Sequence, residues 1–209
     1  MDEKDFAEDL RREKAALRAS IRERAAALDP AVLAESGRRI ADSVLSSSLW
    51  RRAESVFCYV SVGVEPDTRA ILCRALAEGK RLYVPKCLPG PERIMLAVRI
   101  ASTEDLVPGA LGIPEPVFAP EHLPETAAAR DLDLMLIPCV TADLSGNRLG
   151  HGAGYYDRFL APLAGCASPS RHAFPVTVCL CHAAFLADRV PVDPLDVGMD
   201  FVAAGEPLD

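Results

Sequence analysis

Apolar positions along the chain fall into two rhythms. Over residues 9–28, Leu10, Leu17, Ile21 and Leu28 recur at intervals of seven and four, which draws one stripe along a helix that Asp29-Pro30 ends. A second helix is predicted over 31–49, with Val32, Ile40, Val44 and Leu45 facing inward. The period then shortens. Residues 55–61 form a β-rich run, followed by a turn from Gly63 to Pro66. Thr68 is placed to cap a helix over 69–78, which Gly79 closes. Residues 82–84 read as a short buried strand stopped by Pro85, 95–100 as another, and 133–137 as a continuous apolar strand stopped by Pro138. A helix over 155–163 and strands over 176–180 and 201–203 complete the pattern, while 119–130 reads as a long surface connection.

Strands alternating with helices predict a layered α/β domain with a largely parallel sheet, and no repeat or low-complexity tract divides residues 1–209 into smaller units. The balance of 50% apolar and 25% charged residues over 209 positions is that of a folded globular chain. With 23 Lys+Arg against 30 Asp+Glu the net charge is −7, which argues against broad nucleic-acid binding but leaves room for a small anion held by local cations. No apolar run approaches the ~18 residues of a membrane helix. The opening Met1-Asp2-Glu3-Lys4-Asp5 is too acidic for a targeting segment, so a cytoplasmic address is expected. The cysteines at 58, 73, 87, 139, 166, 179 and 181 include no C-x-x-C pair and read as small structural hydrophobes.

Candidate chemistry concentrates in Gly146-Asn147-Arg148-Leu149-Gly150-His151-Gly152-Ala153-Gly154-Tyr155-Tyr156-Asp157-Arg158, between a buried strand and a helix. Glycines let backbone N–H groups approach an anion, and the carboxyl end of a strand is where such sheets place ligands. The run fits neither G-x-G-x-x-G nor the P-loop, and an idle surface loop would not need Arg148, His151, Asp157 and Arg158 around its glycines. In the first helix, Lys14, Arg18 and Arg22 form a basic ridge. Lys14 falls about 40° from the apolar stripe, so Lys14 and Arg18 either edge a cleft or snorkel over a solvated face. Glu65 reads equally as an acceptor for ligand N–H groups or as a turn residue beside the caps Asp67 and Thr68. Of His122, His151, His172 and His182, only His151 sits in a candidate site, and no G-x-S-x-G elbow is present.

The run from Asn147 to Arg158 resembles the hallmark loop of the 5-formyltetrahydrofolate cyclo-ligase family, also called methenyltetrahydrofolate synthetases. Other landmarks follow the same order: Lys14-x-x-x-Arg18, Ser61-x-x-x-Glu65-x-x-Thr68, Gly79-Lys80 leading to Pro85, Gly112-Ile113-x-Glu115-Pro116, 133–138, and Pro191-x-x-x-x-Asp196. The resemblance implies a single α/β domain with a mixed, mostly parallel sheet and helices on both faces. It implies an ATP- and Mg²⁺-dependent ring closure of 5-formyltetrahydrofolate to 5,10-methenyltetrahydrofolate, releasing ADP and phosphate. By the same resemblance, Lys14, Arg18, Arg148, Leu149, Gly150, His151, Gly152, Ala153, Gly154, Tyr155 and Tyr156 bind ATP. Val60 and Glu65, with Tyr155 and Tyr156, hold the folate; Arg148, Tyr155 and Tyr156 serve the reaction; Asp157 and Asp196 ligate Mg²⁺. The chain departs from the pattern at Ala153 (basic in some relatives), at Leu111 (often aromatic), and at His182 and Phe185 (usually Phe and Gln). Two other readings are a non-catalytic nucleotide- or folate-binding regulator and a sugar-phosphate isomerase-like enzyme with Glu65 as base. Small-molecule partners, no nucleic acid or membrane, and a monomer or weak homodimer are expected.

Overall fold

Period-two alternation gives the strands two faces, and each face packs a separate core. The structure, a computed structural model, describes residues 3–109, 112–117, 124–163 and 175–208; Leu111, His122, Cys166 and His172 lie outside them. Its helices are α1 (Glu3–Ala27), α2 (Pro30–Ser46), α3 (Ser48–Arg52), α4 (Arg69–Ala77) and α5 (Tyr155–Leu160). Its strands are β1 (Ser55–Cys58), β2 (Arg81–Cys87), β3 (Met95–Ile100), β4 (Leu106–Pro108), β5 (Pro114–Pro116), β6 (Thr126–Ala127), β7 (Leu134–Pro138), β8 (Thr141–Ala142), β9 (Arg148–Leu149), β10 (Val176–Leu180) and β11 (Phe201–Ala203).

Seven strands make one sheet in the order β11-β10-β7-β1-β2-β3-β6, and β4-β5 and β8-β9 are separate two-stranded ribbons. Pairing is parallel from β11 through β2 and antiparallel at β2-β3 and β3-β6, so the sheet is mixed and mostly parallel as expected. Val56, Cys58, Leu82, Val84, Leu134 and Leu136 pack with Ile40, Leu49, Trp50, Ile71 and Leu72 of α2, α3 and α4. Their neighbours Phe57, Tyr83, Met135 and Ile137 pack on the other face with Ile21 of α1 and Leu160 of α5. From β1 the chain passes through α4 to β2; from β7 it passes through α5 to β10 on the opposite side. The carboxyl ends of β1 and β7 therefore flank a topological switch point, where an open α/β sheet leaves a crevice.

Several local expectations are corrected. Pro85 does not stop its strand: β2 runs on to Cys87, with Pro85 opposite Ala97 of β3. Register with β1 ends at Tyr83, so beyond it that side of β2 has no ladder for a missing N–H to break. The run after Ser55 leaves the sheet at Cys58. Val32 is 52% exposed rather than inward, because it lies about 130° around α2 from the arc of Gly37, Ile40, Ala41 and Val44. The second helix breaks at Ser47, whose N–H caps α2 through the Val44 carbonyl and whose hydroxyl accepts the Trp50 N–H at the start of α3. Thr68 occupies the position before α4 without capping it; its hydroxyl donates to the Tyr59 carbonyl at 2.9 Å, and Asp67 takes the Arg69 N–H at 2.9 Å. Residues 119–123 of the expected surface connection lie outside the described residues, and β6 pairs the stretch beyond them to β3.

Candidate functional site

The segment after β7 is anchored before it reaches the glycines. β8 and β9 form a ribbon whose turn is held by Asp143, which accepts the N–H groups of Ser145 and Asn147, the Asn147 amide and the Val190 N–H. Gly146 has φ +89°, and a Cβ there would stand 2.3 Å from the Met199 carbonyl oxygen, so this turn admits only glycine against the C-terminal segment. From Gly150 to Gly154 the chain has no regular structure, with Gly152 at φ +97° and Gly154 at φ +73°. Among the described residues, none of the N–H groups of residues 150–154 has a hydrogen-bond partner. Five consecutive donors are thus left without a protein acceptor, the kind of backbone that can receive an anion. The helix that follows has only 6 residues, so the loop's own N–H groups and nearby side chains supply the positive potential more than a helix dipole does.

Cations come from α1, far upstream. Arg18 Nε donates to the Gly150 carbonyl at 2.8 Å, and its guanidinium carbon lies 3.5 Å from where a Cβ on Gly152 would stand. Lys14, one turn earlier, reaches Asp193 at 2.7 Å and Asp196 at 2.5 Å. Burial works against its ammonium, but the two carboxylates outweigh it and hold the Lys14 pKa above the ordinary lysine value. Among the described residues of α1, Ile21 is buried in the core and Leu17 and Ala25 pack partly against it. The polar ties of Lys14 and Arg18 add to that seating, and the snorkelling alternative is excluded.

Beneath the loop, Arg148 is 3% exposed and donates to Asp157 Oδ1 at 2.6 Å. Its guanidinium carbon lies 5.9 Å from the centroid of the Tyr156 ring, and its buried Nε has no partner. The Val197 N–H reaches the same Asp157 oxygen at 3.3 Å, so Asp157 and Asp196 meet through adjacent residues of the C-terminal segment. Tyr156 stands edge-on to Phe57 of β1 with ring centroids 6.4 Å apart, and burial pushes its phenol well above the usual value, so it stays protonated. Across the switch point, Glu65 accepts the Val62 N–H at 2.9 Å and lies 3.5 Å from His151 Nε2. That contact joins the loop after β1 to the glycine loop.

Lys14, Arg18, Arg148, the 150–154 backbone, Tyr156, Asp157, Asp196, His151 and Glu65 thus form one chain of contacts. Tyr155 is partly buried against the core below, Val60 is buried just beyond the end of β1, and Leu149 points into the core, so only its backbone faces the loop. His182 bonds Ser36 at 2.8 Å and packs edge-on against Phe185; burial lowers its pKa, and it is occupied with seating α2. Asp193 escapes a reading of the sequence, although its spacing of three from Asp196 is a weak signal. Arg93 has no motif to reveal it.

Fold and site together define a three-layer α/β protein with a glycine loop of free backbone donors at its switch point, faced by a carboxylate from the loop after the neighbouring strand. Residues 10–205 match the 5-formyltetrahydrofolate cyclo-ligase family, so the chain belongs to that family and is an enzyme of that class. It is 30% identical over 202 residues to the mitochondrial 5-formyltetrahydrofolate cyclo-ligase of Arabidopsis thaliana, covering 90% of this chain and 73% of the relative. It is 28% identical over 182 residues to that of Escherichia coli K12, covering 87% and 94%. The NMR structure of the 5,10-methenyltetrahydrofolate synthetase of Aquifex aeolicus superposes with a TM-score of 0.74 at 25% identity, over 92% of this chain and 90% of the other. A synthetase from Mycoplasma pneumoniae shares the fold at 19% identity with a TM-score of 0.69.

Proposed function

We propose that the chain closes the ring of 5-formyltetrahydrofolate at the expense of ATP, giving 5,10-methenyltetrahydrofolate, ADP and phosphate. The formyl oxygen attacks the γ-phosphorus, and the bond to the ADP oxygen breaks. N10 then attacks the formyl carbon and loses its proton, and phosphate leaves with the former formyl oxygen. The observation that carries this reading is the row of free N–H donors at residues 150–154, flanked by Arg18 and faced by Glu65. Phosphoryl transfer calls for positioning and charge stabilisation, which such a cradle supplies without a protein nucleophile.

In this reading the loop and Arg18 hold the phosphates, while Lys14 aligns the 193–196 turn. Arg148 is a positioning residue: paired and buried, it orients Asp157. Tyr156, a neutral phenol, separates the two substrates and can donate a hydrogen bond but not act as a base; Tyr155 and Val60 line the folate side. Glu65 accepts from pterin N–H groups. The donor set suits Mg²⁺, a hard ion bound through one or two carboxylates together with substrate phosphates. Among the described residues no group of three or more acidic, His or Cys side chains could hold a metal alone. Asp157 and Asp196, however, spend their protein contacts on Oδ1 and Oδ2 respectively, which leaves one oxygen of each for a metal. Mg²⁺ held there supplies charge neutralisation at the phosphates. Among the described residues no helix is long and apolar enough to cross a membrane; the reading places the work in the cytoplasm.

The test follows the absorbance of the methenyl product with purified protein, 5-formyltetrahydrofolate and MgATP. Product that requires both ATP and Mg²⁺ is expected. Binding of either substrate without turnover would leave a regulator, and turnover of a sugar phosphate without ATP an isomerase. Glu65→Gln is expected to raise the folate KM about tenfold with the ATP KM nearly unchanged, the size of one lost charged hydrogen bond. The reverse pattern would exchange the two substrate sides.

A further inference from the structure

Two guanidinium groups that the reading above does not use also reach the glycine loop. Arg93, in the turn between β2 and β3, donates from Nη1 to the Ala153 carbonyl at 2.6 Å. Arg158, on α5, donates from Nη1 to the same oxygen at 3.3 Å and to the Gly154 carbonyl at 3.4 Å. The two side chains converge on one atom from different elements, and Arg18 stands beside Gly152. Three like charges therefore surround three consecutive residues.

Like charges at this spacing repel, and a carbonyl dipole offsets only part of that cost. Lys14 and Arg148 each have a carboxylate partner at 2.7 Å or less. Among the described residues, Arg18, Arg93 and Arg158 have none within the range of an ion pair. The turn also holds Arg93 at φ +52°, the one non-glycine residue in the left-handed region among those described. Meanwhile the side chain at 153 is a methyl group, without charge of its own. Charge brought in from a separate hairpin, left without a carboxylate partner and held on the carbonyls of a loop whose N–H donors are free, matches a ligand carrying several negative charges.

We propose that Arg93, together with Arg158, contacts the polyphosphate of the nucleotide, the two guanidinium groups turning from the Ala153 carbonyl to phosphate oxygens on the side opposite Arg18. The inference rests on the nucleotide reading of the loop. Guanidinium donors suit phosphate in forked geometry, and the β2–β3 turn becomes part of the site.

The test is equilibrium titration of MgATP and of inorganic tripolyphosphate into wild type, Arg93→Ala, Arg93→Lys and Arg158→Ala, with steady-state KM values for both substrates. Arg93→Ala and Arg158→Ala are expected to weaken both ligands about tenfold, near 1.4 kcal/mol, and to leave the folate KM within about twofold. Arg93→Lys is expected to recover part of the loss, and Ala153→Lys placed in the Arg93→Ala chain to recover most of it by restoring a cation at that spot. Wild type that binds MgATP while Arg93→Ala binds it equally well overturns the inference and spares the nucleotide reading. A folate KM that moves as far as the ATP KM also overturns it. Wild type that binds neither ligand overturns the nucleotide reading, and this inference with it.

Discussion

Asp157 faces two demands under the proposed function, since it neutralises a guanidinium sealed under the loop and keeps its second oxygen clear of protein contacts for a metal. Asp157→Asn keeps an acceptor for Arg148 but loses the charge. It is expected to cost about 2 kcal/mol in urea denaturation, below the range for a fully buried pair because Asp157 is 25% exposed. The Mg²⁺ concentration giving half-maximal rate is expected to rise at least about tenfold. An unchanged Mg²⁺ titration would remove Asp157 from the metal. Lys14 and Asp193 carry a pH signature whose sign follows from their shifts. Lys14 titrates above its ordinary 10.5 in the folded chain, so its contribution is complete below that value and disappears as pH climbs through the raised one. Burial tends to raise the Asp193 pKa, but its bond to Lys14 prevails and holds it below the ordinary 3.8. Its contribution is complete above 3.8 and disappears as pH falls through the lowered value. The difference in melting temperature between wild type and Lys14→Met is therefore expected to stay level from about pH 5 to 9 and to shrink on both sides.

Among elements, the glycine loop takes its shape from backbone freedom. Gly152→Ala forces an L side chain into φ +97°, at a cost of about 1–2 kcal/mol. Gly79→Ala meets the same penalty at φ +71°, with open space around it at the end of α4. Both variants are expected to lose similar stability in thermal melts, but only Gly152→Ala loses MgATP affinity, by about tenfold or more. Equal losses of affinity would mean that the loop's conformation is not what the ligand reads. The sheet was legible at this scale: β3, β10 and β11 lie where the apolar runs put them, β10 buried along its whole length and the other two in part. Pro85 misleads because local sequence does not say where the neighbouring strand stops. Val32 misleads because an apolar side chain near the start of a helix does not show which way the helix is turned. In the site, glycines and basic residues stood out, as motifs in one segment do. The ties Lys14–Asp193 and Arg93–Ala153 join segments that only the folded sheet brings together.

On the scale of the whole molecule, the site is assembled at the point where the sheet reverses its winding, so its parts arrive from α1, the loop after β1, the β2–β3 turn, the glycine loop and the 190s. The two faces of the sheet each have their own core, and strands on both sides of the switch point contribute to both. Lys14 and its partners Asp193 and Asp196 are separated by 179 and 182 positions, nearly the full extent of the polypeptide. Closing so large a loop is entropically slow, whereas α2, α4 and the β2–β3 hairpin draw on neighbours close in sequence. Refolding from urea is therefore expected to restore the far-ultraviolet helical signal first and catalytic competence in a later phase; simultaneous recovery would contradict this. A nascent or refolding chain would then pass through an interval in which it already resists proteolysis yet has no turnover, with the clasp between Lys14 and the 193–196 turn acting as the last gate to activity.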